Sequence, residues 1–344
     1  MPPNHWTEDR TPYLRVAAVG GERVVVFILA GGVGERLWPW STPERPKPFC
    51  SLPEGDTLLG MAWRRAKRID DHVLVVLNRR HLDLARALFP DLSPEQLILE
   101  EASRGTARAM AAALEAYRDR AQVPDREVCV FLPADTVTRD EAVYAAAVQL
   151  AARHARQAER FVLVGVPAHR VETGFGHILA GALLEHGAAV HAVDDFMEKP
   201  RPEAAAWLLR RGALWNTGVV AARLGLFREH LAELPEAAVS FDALVLDSEA
   251  PKAVVQAEMD WDDFGTWGAF ARRYGRETAA QGPSLIERSP GALVLPEPGS
   301  LRPVVVCGLP QAVVVEGPEA LLVARRDLLE DPQTLAGLRA RLRF

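Results

Sequence analysis

The chain has 344 residues, of which 49% are hydrophobic and 25% are charged, and its formal net charge is -6 at pH 7. This is the composition of an ordinary globular protein, and the acidic balance argues against a nucleic-acid backbone as its partner. No stretch approaches 18 uninterrupted apolar residues, so we predict no membrane-spanning segment and no membrane partner.

The first predicted elements alternate between strands and helices. Residues 1–22 lack the pattern of a signal peptide and are interpreted as an N-terminal tail. The apolar run 23–30 predicts a strand buried on both faces, and Thr57 is a plausible N-cap for the helix that follows. Further strands are predicted at 72–77, 96–100 and 127–135, and helices at 80–89 and 105–121. This alternation is typical of a parallel, doubly wound α/β sheet.

The pattern of strands changes after residue 160. Further strands are predicted at 161–166, 176–181 and 190–196, joined by short turns. Such close connections indicate a sheet that is mostly parallel but mixed.

The pattern changes again near residue 283. Short Val/Leu runs there alternate with Gly or Pro corners, which predicts a small C-terminal β-helix-like segment. A final helix over 332–343 would carry Leu335, Leu338 and Leu342 on one stripe. We therefore divide the chain into a tail (1–22), an α/β domain (23–282) and a C-terminal segment (283–344).

Three predicted strand ends carry residues suited to a ligand. The glycine cluster at 31–34, the pair Glu100 and Glu101, and Asp135 each follow a strand. Because ligands of doubly wound sheets bind beyond the carboxyl ends of the strands, we expect these residues to meet in one crevice.

The glycine cluster at 31–34 is expected to hold phosphate. Glycines let backbone N–H groups approach an anion closely, and Arg36 adds a planar, two-pronged charge. The loop has no Lys-Ser pair of the Walker type, and Leu37 stands where a dinucleotide fingerprint requires its third glycine. It is therefore a phosphate loop of another kind.

Lysine is rare in this chain. Of 40 basic residues only four are lysine, and two of them, Lys47 and Lys199, stand in the proline-bounded sites PKP and EKP. A compact ammonium can follow a phosphate through its displacement more easily than the rigid fork of arginine. The two lysines are therefore candidates for phosphate chemistry.

The run L-A-G-G-x-G-x-R-L-W-P-x-S, followed by P-K-x-F, resembles the signature of the sugar-1-phosphate nucleotidyltransferases, in the form typical of the mannose-1-phosphate guanylyltransferases. The similarity continues in family order from about residue 24 to the C-terminus. It implies the fold of that family, Mg²⁺ as cofactor, GTP and mannose 1-phosphate as substrates, and a homodimer. The reaction it implies is attack of the sugar phosphate on the α-phosphorus of the nucleotide, without a covalent intermediate.

The resemblance also implies roles for individual residues. The implied catalytic residues are Arg36, Lys47 and Lys199, and the implied metal ligands are Asp135 in LPAD and Asp263 in WDDFGTW. The implied nucleotide-binding residues are Leu29, Ala30, Gly31, Gly32, Gly34, Arg36, Lys47, Gly105, Thr106 and Asp135. The implied sugar-binding residues are Glu172, Thr173, Gly174, Glu198, Lys199 and Asn216.

Four positions depart from the family pattern. Gly105 replaces an asparagine beside the nucleobase, while Val171, Phe175 and His177 replace a proline and two tyrosines on the sugar side. Another sugar phosphate or another nucleotide therefore stays open. A non-catalytic homologue that senses nucleotide sugars is the alternative from a different class, and the retained phosphate and metal residues argue against it.

The remaining polar candidates are interpreted structurally. His177 is expected to be a polar residue on a strand, and Ser240 and Asp242 to form loop hydrogen bonds. The cysteines, Cys50, Cys129 and Cys307, have neither metal-ligand nor disulfide spacing, which predicts a cytoplasmic protein.

Overall fold

The computed structural model describes residues 24–53, 55–185, 189–274, 279–280, 283–329 and 332–342. The predicted tail and the predicted boundary after residue 282 lie outside these residues. No helix in the described ranges is both long and apolar enough to cross a membrane.

Strands and helices alternate through the first half of the chain, as predicted. The strands are β1 (Val25–Leu29), β2 (Val73–Asn78), β3 (Leu97–Glu100), β4 (Val128–Pro133), β5 (Val137–Thr138), β6 (Phe161–Pro167), β7 (His177–Glu185), β8 (Val190–Met197), β9 (Leu214–Arg223), β10 (Lys252–Gln256), β11 (Trp261–Asp262), β12 (Ala279–Ala280), β13 (Ser284–Glu287), β14 (Leu293–Leu295), β15 (Val304–Cys307), β16 (Ala312–Glu316) and β17 (Leu321–Arg325). The helices are α1 (Leu58–Lys67), α2 (Leu82–Leu88), α3 (Thr106–Ala121), α4 (Glu141–Gln157), α5 (Pro202–Arg210), α6 (Leu224–His230), α7 (Trp267–Tyr274) and α8 (Pro332–Arg341).

The main sheet is mixed, and its strand order is β3-β2-β1-β4-β9-β6-β10-β8-β7. β1 runs parallel to β2 and β4, β2 to β3, and β6 to β10. β9 lies antiparallel between β4 and β6, and β7 and β8 continue the antiparallel part. The predicted fold class, a mostly parallel but mixed α/β sheet, is confirmed.

Apolar strands place one core on each face of the sheet. In β1, Val26 and Ile28 join the core on one face, while Val25 and Phe27 join the core on the other face. Thr57 caps α1 as predicted, because its hydroxyl accepts a hydrogen bond from the N–H of Gly60 at 3.0 Å.

The C-terminal strands coil in the manner expected for a small β-helix. β12, β14 and β16 stack in parallel in one sheet, β13 and β15 form a second parallel pair, and β17 closes the first sheet antiparallel to β16. In α8 the predicted stripe is wrong at its last position: Leu335 is buried, but Leu342 lies beyond the end of the helix and is exposed.

Candidate active site

A cavity of about 300 Å³ opens at the carboxyl ends of β1 to β4. Seven residues predicted to bind substrate line it: Leu29, Gly31, Gly32, Gly105, Thr106, Asp135 and Asn216. Glu100 lines it as well, whereas Glu101 is exposed outside it and pairs with Arg79. Apart from Glu101, the predicted meeting of three strand ends in one crevice is therefore confirmed.

Glycine is required at two turns around this cavity. Gly34 has φ of 78°, and a Cβ there would collide with the side chain of Lys47. Gly105 has φ of 88°, and a Cβ there would lie 2.7 Å from the backbone nitrogen of Val239. The close approach of Val239 therefore accounts for glycine at position 105, where the family pattern has asparagine.

Lys47 lies between the two predicted metal-binding segments. It is only 3% exposed, and its N–H donates to the carbonyl of Val33 at 2.9 Å, which ties it to the glycine loop. Its Nζ donates to Oδ2 of Asp135 at 2.8 Å and to the backbone carbonyl of Asp263 at 2.5 Å. One ammonium therefore joins three segments that are far apart in the sequence.

The two aspartates are brought together by a two-stranded ribbon. β5 follows Asp135 and pairs antiparallel with β11, which ends immediately before Asp263. Oδ1 of Asp263 accepts a hydrogen bond from the N–H of Gly265 at 2.7 Å. Removal from water raises the pKa of the Asp263 carboxyl. The nearby charges of Asp262 and Asp135 also raise this pKa, whereas the charge of Lys47 lowers it.

These carboxylates fit a hard divalent cation. In the described ranges no cluster of three or more His, Cys, Asp or Glu side chains is suited to hold a metal by itself. Mg²⁺ usually binds through only one or two carboxylates and takes its remaining ligands from water and substrate phosphates. Asp135 and Asp263 could hold Mg²⁺ in that way.

Arg36 lies away from the cavity wall. Its side chain is exposed, and its guanidinium is close to two glycines of other loops. A Cβ on Gly265 would lie 2.9 Å from Nη2 of Arg36, and one on Gly174 would lie 4.0 Å from Nη1. Arg36 therefore stands between the loop of Asp263 and the predicted sugar loop.

The predicted sugar loop is organised by Glu172. Its Oε1 accepts hydrogen bonds from the N–H groups of Thr173 and Gly174, both at 3.0 Å. Its Oε2 pairs with Arg170 at 3.1 Å, and the Arg170 guanidinium lies 4.5 Å from the ring centre of Trp215. Glu172 and Thr173 thus owe their placement partly to Arg170, which the sequence did not single out.

The remaining predicted sugar residues form a second group. Nζ of Lys199 lies 2.8 Å from Oε1 of Glu198. Asn216 donates through Nδ2 to Oδ1 of Asp242 at 2.6 Å, and both residues line the cavity. Loss of solvent and the nearby charge of Glu198 raise the pKa of Asp242 to about 6.

Asp242 is the clearest omission from the predicted site, and Glu100 is predicted to lie in the crevice but is given no binding role there. Ser240 accepts a loop hydrogen bond from the N–H of Ala243, as predicted. Asp242 instead lines the cavity and accepts a hydrogen bond from Asn216. His177 is fully buried on β7 with Nδ1 3.0 Å from the carbonyl of Phe175, which confirms the interpretation of a polar strand residue. The position of Glu100 at a strand end is the signal that places it in the crevice, whereas no local signal assigns Asp242 to the site.

The chain is similar to known proteins along most of its length. The family model described as nucleotidyl transferase matches residues 25–277. The chain is 31% identical to the xanthan biosynthesis protein XanB of Xanthomonas campestris pv. campestris, covering 90% of this chain and 71% of the relative. It is 28% identical to a mannose-1-phosphate guanylyltransferase of Escherichia coli, covering 88% and 71%.

A solved structure supports the same assignment of the fold. A crystal structure from Thermus thermophilus, described as a mannose-1-phosphate geranyltransferase, superposes with a TM-score of 0.79 at 27% identity. The match covers 93% of this chain and 99% of that one. The similarity therefore includes the C-terminal segment as well as the α/β sheet.

Proposed function

This chain belongs to the nucleotidyl transferase family, and we propose that it transfers GMP from GTP to mannose 1-phosphate, giving GDP-mannose and pyrophosphate. The observation that carries the proposal is the position of Lys47, in contact with Asp135 and the backbone of Asp263 beside a cavity lined by glycines. The named activity of the Escherichia coli relative points to the same pair of substrates.

Glu100 supports guanine as the base. Its carboxylate lines the cavity beside Gly31, and burial raises its pKa. Guanine presents two adjacent donors, N1–H and the N2 amino group, which a carboxylate with two acceptor oxygens can pair simultaneously. Adenine has no such pair of neighbouring donors, so this contact favours GTP over ATP.

The chemistry requires charge neutralisation rather than proton transfer. A phosphate monoester with a second pKa of about 6 is already largely dianionic at pH 7. One of its oxygens bonds to the α-phosphorus as the bond to the α–β bridging oxygen breaks, and pyrophosphate leaves with that electron pair. In-line positioning and fixed positive charge therefore carry the catalysis.

The basic residues divide between the two substrates. Arg36 and Lys47 hold the triphosphate, and Lys199, whose side chain is mostly exposed beside Glu198, holds the phosphate of the sugar. Asp135 and Asp263 would hold Mg²⁺, which when bound neutralises negative charge on the transferring phosphate. Glu172, Glu198 and Asn216 contact the sugar hydroxyls.

We also propose a cytoplasmic homodimer. The C-terminal segment exposes neighbouring apolar side chains, Leu285 on β13 and its register partner Val305 on β15, which are 59% and 64% exposed. A second copy would cover such a surface. Light scattering after size-exclusion chromatography should return twice the mass of the chain, and a monomer mass would contradict the dimer.

The direct test of the activity is product formation. Purified protein, GTP, mannose 1-phosphate and Mg²⁺ should release pyrophosphate and form GDP-mannose in equal amounts. Omission of mannose 1-phosphate should abolish the release. Absence of both products in the complete mixture would overturn the proposed reaction.

A further inference from the structure

Two carboxylates of the C-terminal segment hold the signature loop, residues 34–47. Glu319, in the turn before β17, accepts a hydrogen bond from Nε1 of Trp38 at 2.7 Å. Glu297, after β14, accepts from both terminal nitrogens of Arg45, and the Nη2–Oε2 distance is 2.9 Å. These contacts join positions 281 and 252 residues apart in the chain.

The two anchored residues, Trp38 and Arg45, lie between the predicted catalytic cations in the sequence. Trp38 lies two residues after Arg36, and Arg45 lies two residues before Lys47. Nη2 of Arg45 also donates to the backbone carbonyl of Trp40 at 3.1 Å, so this side chain ties the middle of the loop to Glu297. The loop is thereby fixed beside each cation.

Close packing supports the same contact. Trp38 and Trp40 are almost fully buried in a cluster with apolar residues of β14 and β16. A Cβ on Gly317, just after β16, would collide with the backbone carbonyl of Pro39. The C-terminal segment therefore packs directly against the backbone of the signature loop.

Arg36 depends most on this support. In the described part of the chain its guanidinium forms no ion pair, so its position depends on the backbone of the loop and on the neighbouring loops of Gly174 and Gly265. Lys47 is itself held by Asp135, but its backbone follows Arg45 within two residues. A small displacement of the loop would move both cations relative to a bound triphosphate.

We propose that Glu319 and Glu297 are positioning residues, which act through Trp38 and Arg45 to fix Arg36 and Lys47 for the nucleotide. The inference rests on the proposed function of these cations. It assigns the C-terminal segment a part in nucleotide binding, although none of the described residues of that segment lines the cavity.

The test compares substitutions that remove a hydrogen-bond acceptor with a substitution that keeps it. Glu319→Ala removes the acceptor for the indole N–H, whereas Glu319→Gln keeps an amide oxygen that accepts it. Glu297→Gln retains only one acceptor oxygen and turns an amino group toward the guanidinium. Glu287→Ala is the matched control, because that carboxylate lies on the same segment and is 61% exposed.

The readouts are the Kd for GTP by calorimetry, KM for each substrate, and Tm. Glu319→Ala and Glu297→Gln should each raise Kd and KM for GTP about tenfold, while KM for mannose 1-phosphate changes less than about twofold. Glu319→Gln and the Glu287→Ala control should match the wild type. If Glu319→Ala does not fold, Glu297→Gln carries the comparison.

Two results would overturn the inference. The first is an unchanged Kd for GTP in Glu297→Gln and Glu319→Ala, and the second is an equal loss of affinity for both substrates. Failure of the proposed function is a separate result, namely a wild type that binds GTP but forms no GDP-mannose. In that case the Kd values still decide whether these carboxylates position the nucleotide-binding cations.

Discussion

Nζ of Lys47 lies 2.8 Å from Oδ2 of Asp135, in a site where the lysine is almost fully buried and the aspartate is 42% exposed. The lysine is thus enclosed by protein, while the carboxylate of Asp135 remains accessible from the cavity. This asymmetry suits a fixed cation next to a carboxylate that can take a metal ion.

Replacement of Lys47 by arginine should be costly even though the charge is kept. The aliphatic stem of Lys47 packs against Gly34, and its ammonium fills a buried space between Asp135 and the backbone of Asp263. The larger planar guanidinium cannot enter this space unchanged. Lys47→Arg should lower kcat/KM at least about 100-fold. Lys67→Arg, at a mostly solvated pair with Asp71, is the control and should retain normal turnover. Near-normal turnover of Lys47→Arg would contradict the role of this ammonium.

Loss of either candidate metal ligand should abolish most turnover. Asp135→Asn and Asp263→Asn should each lower kcat about 100-fold or more, because a neutral amide binds Mg²⁺ poorly. Steady-state rates at increasing Mg²⁺ concentrations are the measurement. Asp260→Asn, a surface position paired with Arg273, is the matched control. Full activity in both ligand variants would exclude this pair as the metal site.

Two neighbouring glycines should respond differently to alanine. A Cβ at Gly34 meets Lys47 and the residue has a positive φ, so Gly34→Ala should lower the free energy of unfolding by about 1 to 3 kcal/mol. A Cβ at Gly32 meets nothing within 4 Å, so Gly32→Ala should keep its Tm. Under the proposed function it should nevertheless weaken nucleotide binding, because the added methyl group would lie in the wall of the cavity. Thermal melts together with titration of GTP separate the two effects.

The Asp242 carboxyl predicts a pH dependence of stability. Its pKa is raised to about 6 in the folded protein from an ordinary 3.8, so the folded state binds the proton more tightly than the unfolded state. The resulting stabilisation is complete below pH 3.8 and is lost as the pH rises through 6. Asp242→Asn should therefore match the wild type at about pH 4.

At about pH 8 the same variant should be more stable than the wild type by about 1 to 3 kcal/mol. Tm measured for both proteins across this range, without ligand, tests the expectation. A difference in Tm that does not change with pH would show that Asp242 titrates normally.

The parts of the fold that follow from local pattern were predictable. β1 and β4 are continuous apolar runs, and α3 is a run of strong helix formers. The sequence does not predict β9 as a strand, although it singles out Asn216 on that strand. Its antiparallel place between β4 and β6 depends on pairing with distant strands, which a local pattern does not encode.

The residues of the candidate site also divide into those that a local pattern reveals and those that depend on distant contacts. Glycines, lysines and aspartates in recognisable motifs could be named from the sequence. Asp242 belongs to the site because it accepts a hydrogen bond from Asn216, 26 residues earlier in the sequence. Glu319 contacts the signature loop because it accepts a hydrogen bond from Trp38, 281 residues earlier. Such relations arise only from tertiary packing.

The most direct test of the proposed function is kcat/KM for GTP, ATP, UTP and CTP, each combined with mannose, glucose and mannoheptose 1-phosphates. We expect the highest value for GTP with mannose 1-phosphate, and we expect Glu100→Gln to lose much of the preference for GTP over ATP. A higher value for UTP or ATP would contradict the assignment of GTP, and a higher value for another sugar would contradict that of mannose. No turnover with any combination would contradict the proposed catalytic role of Lys47, Asp135 and Asp263.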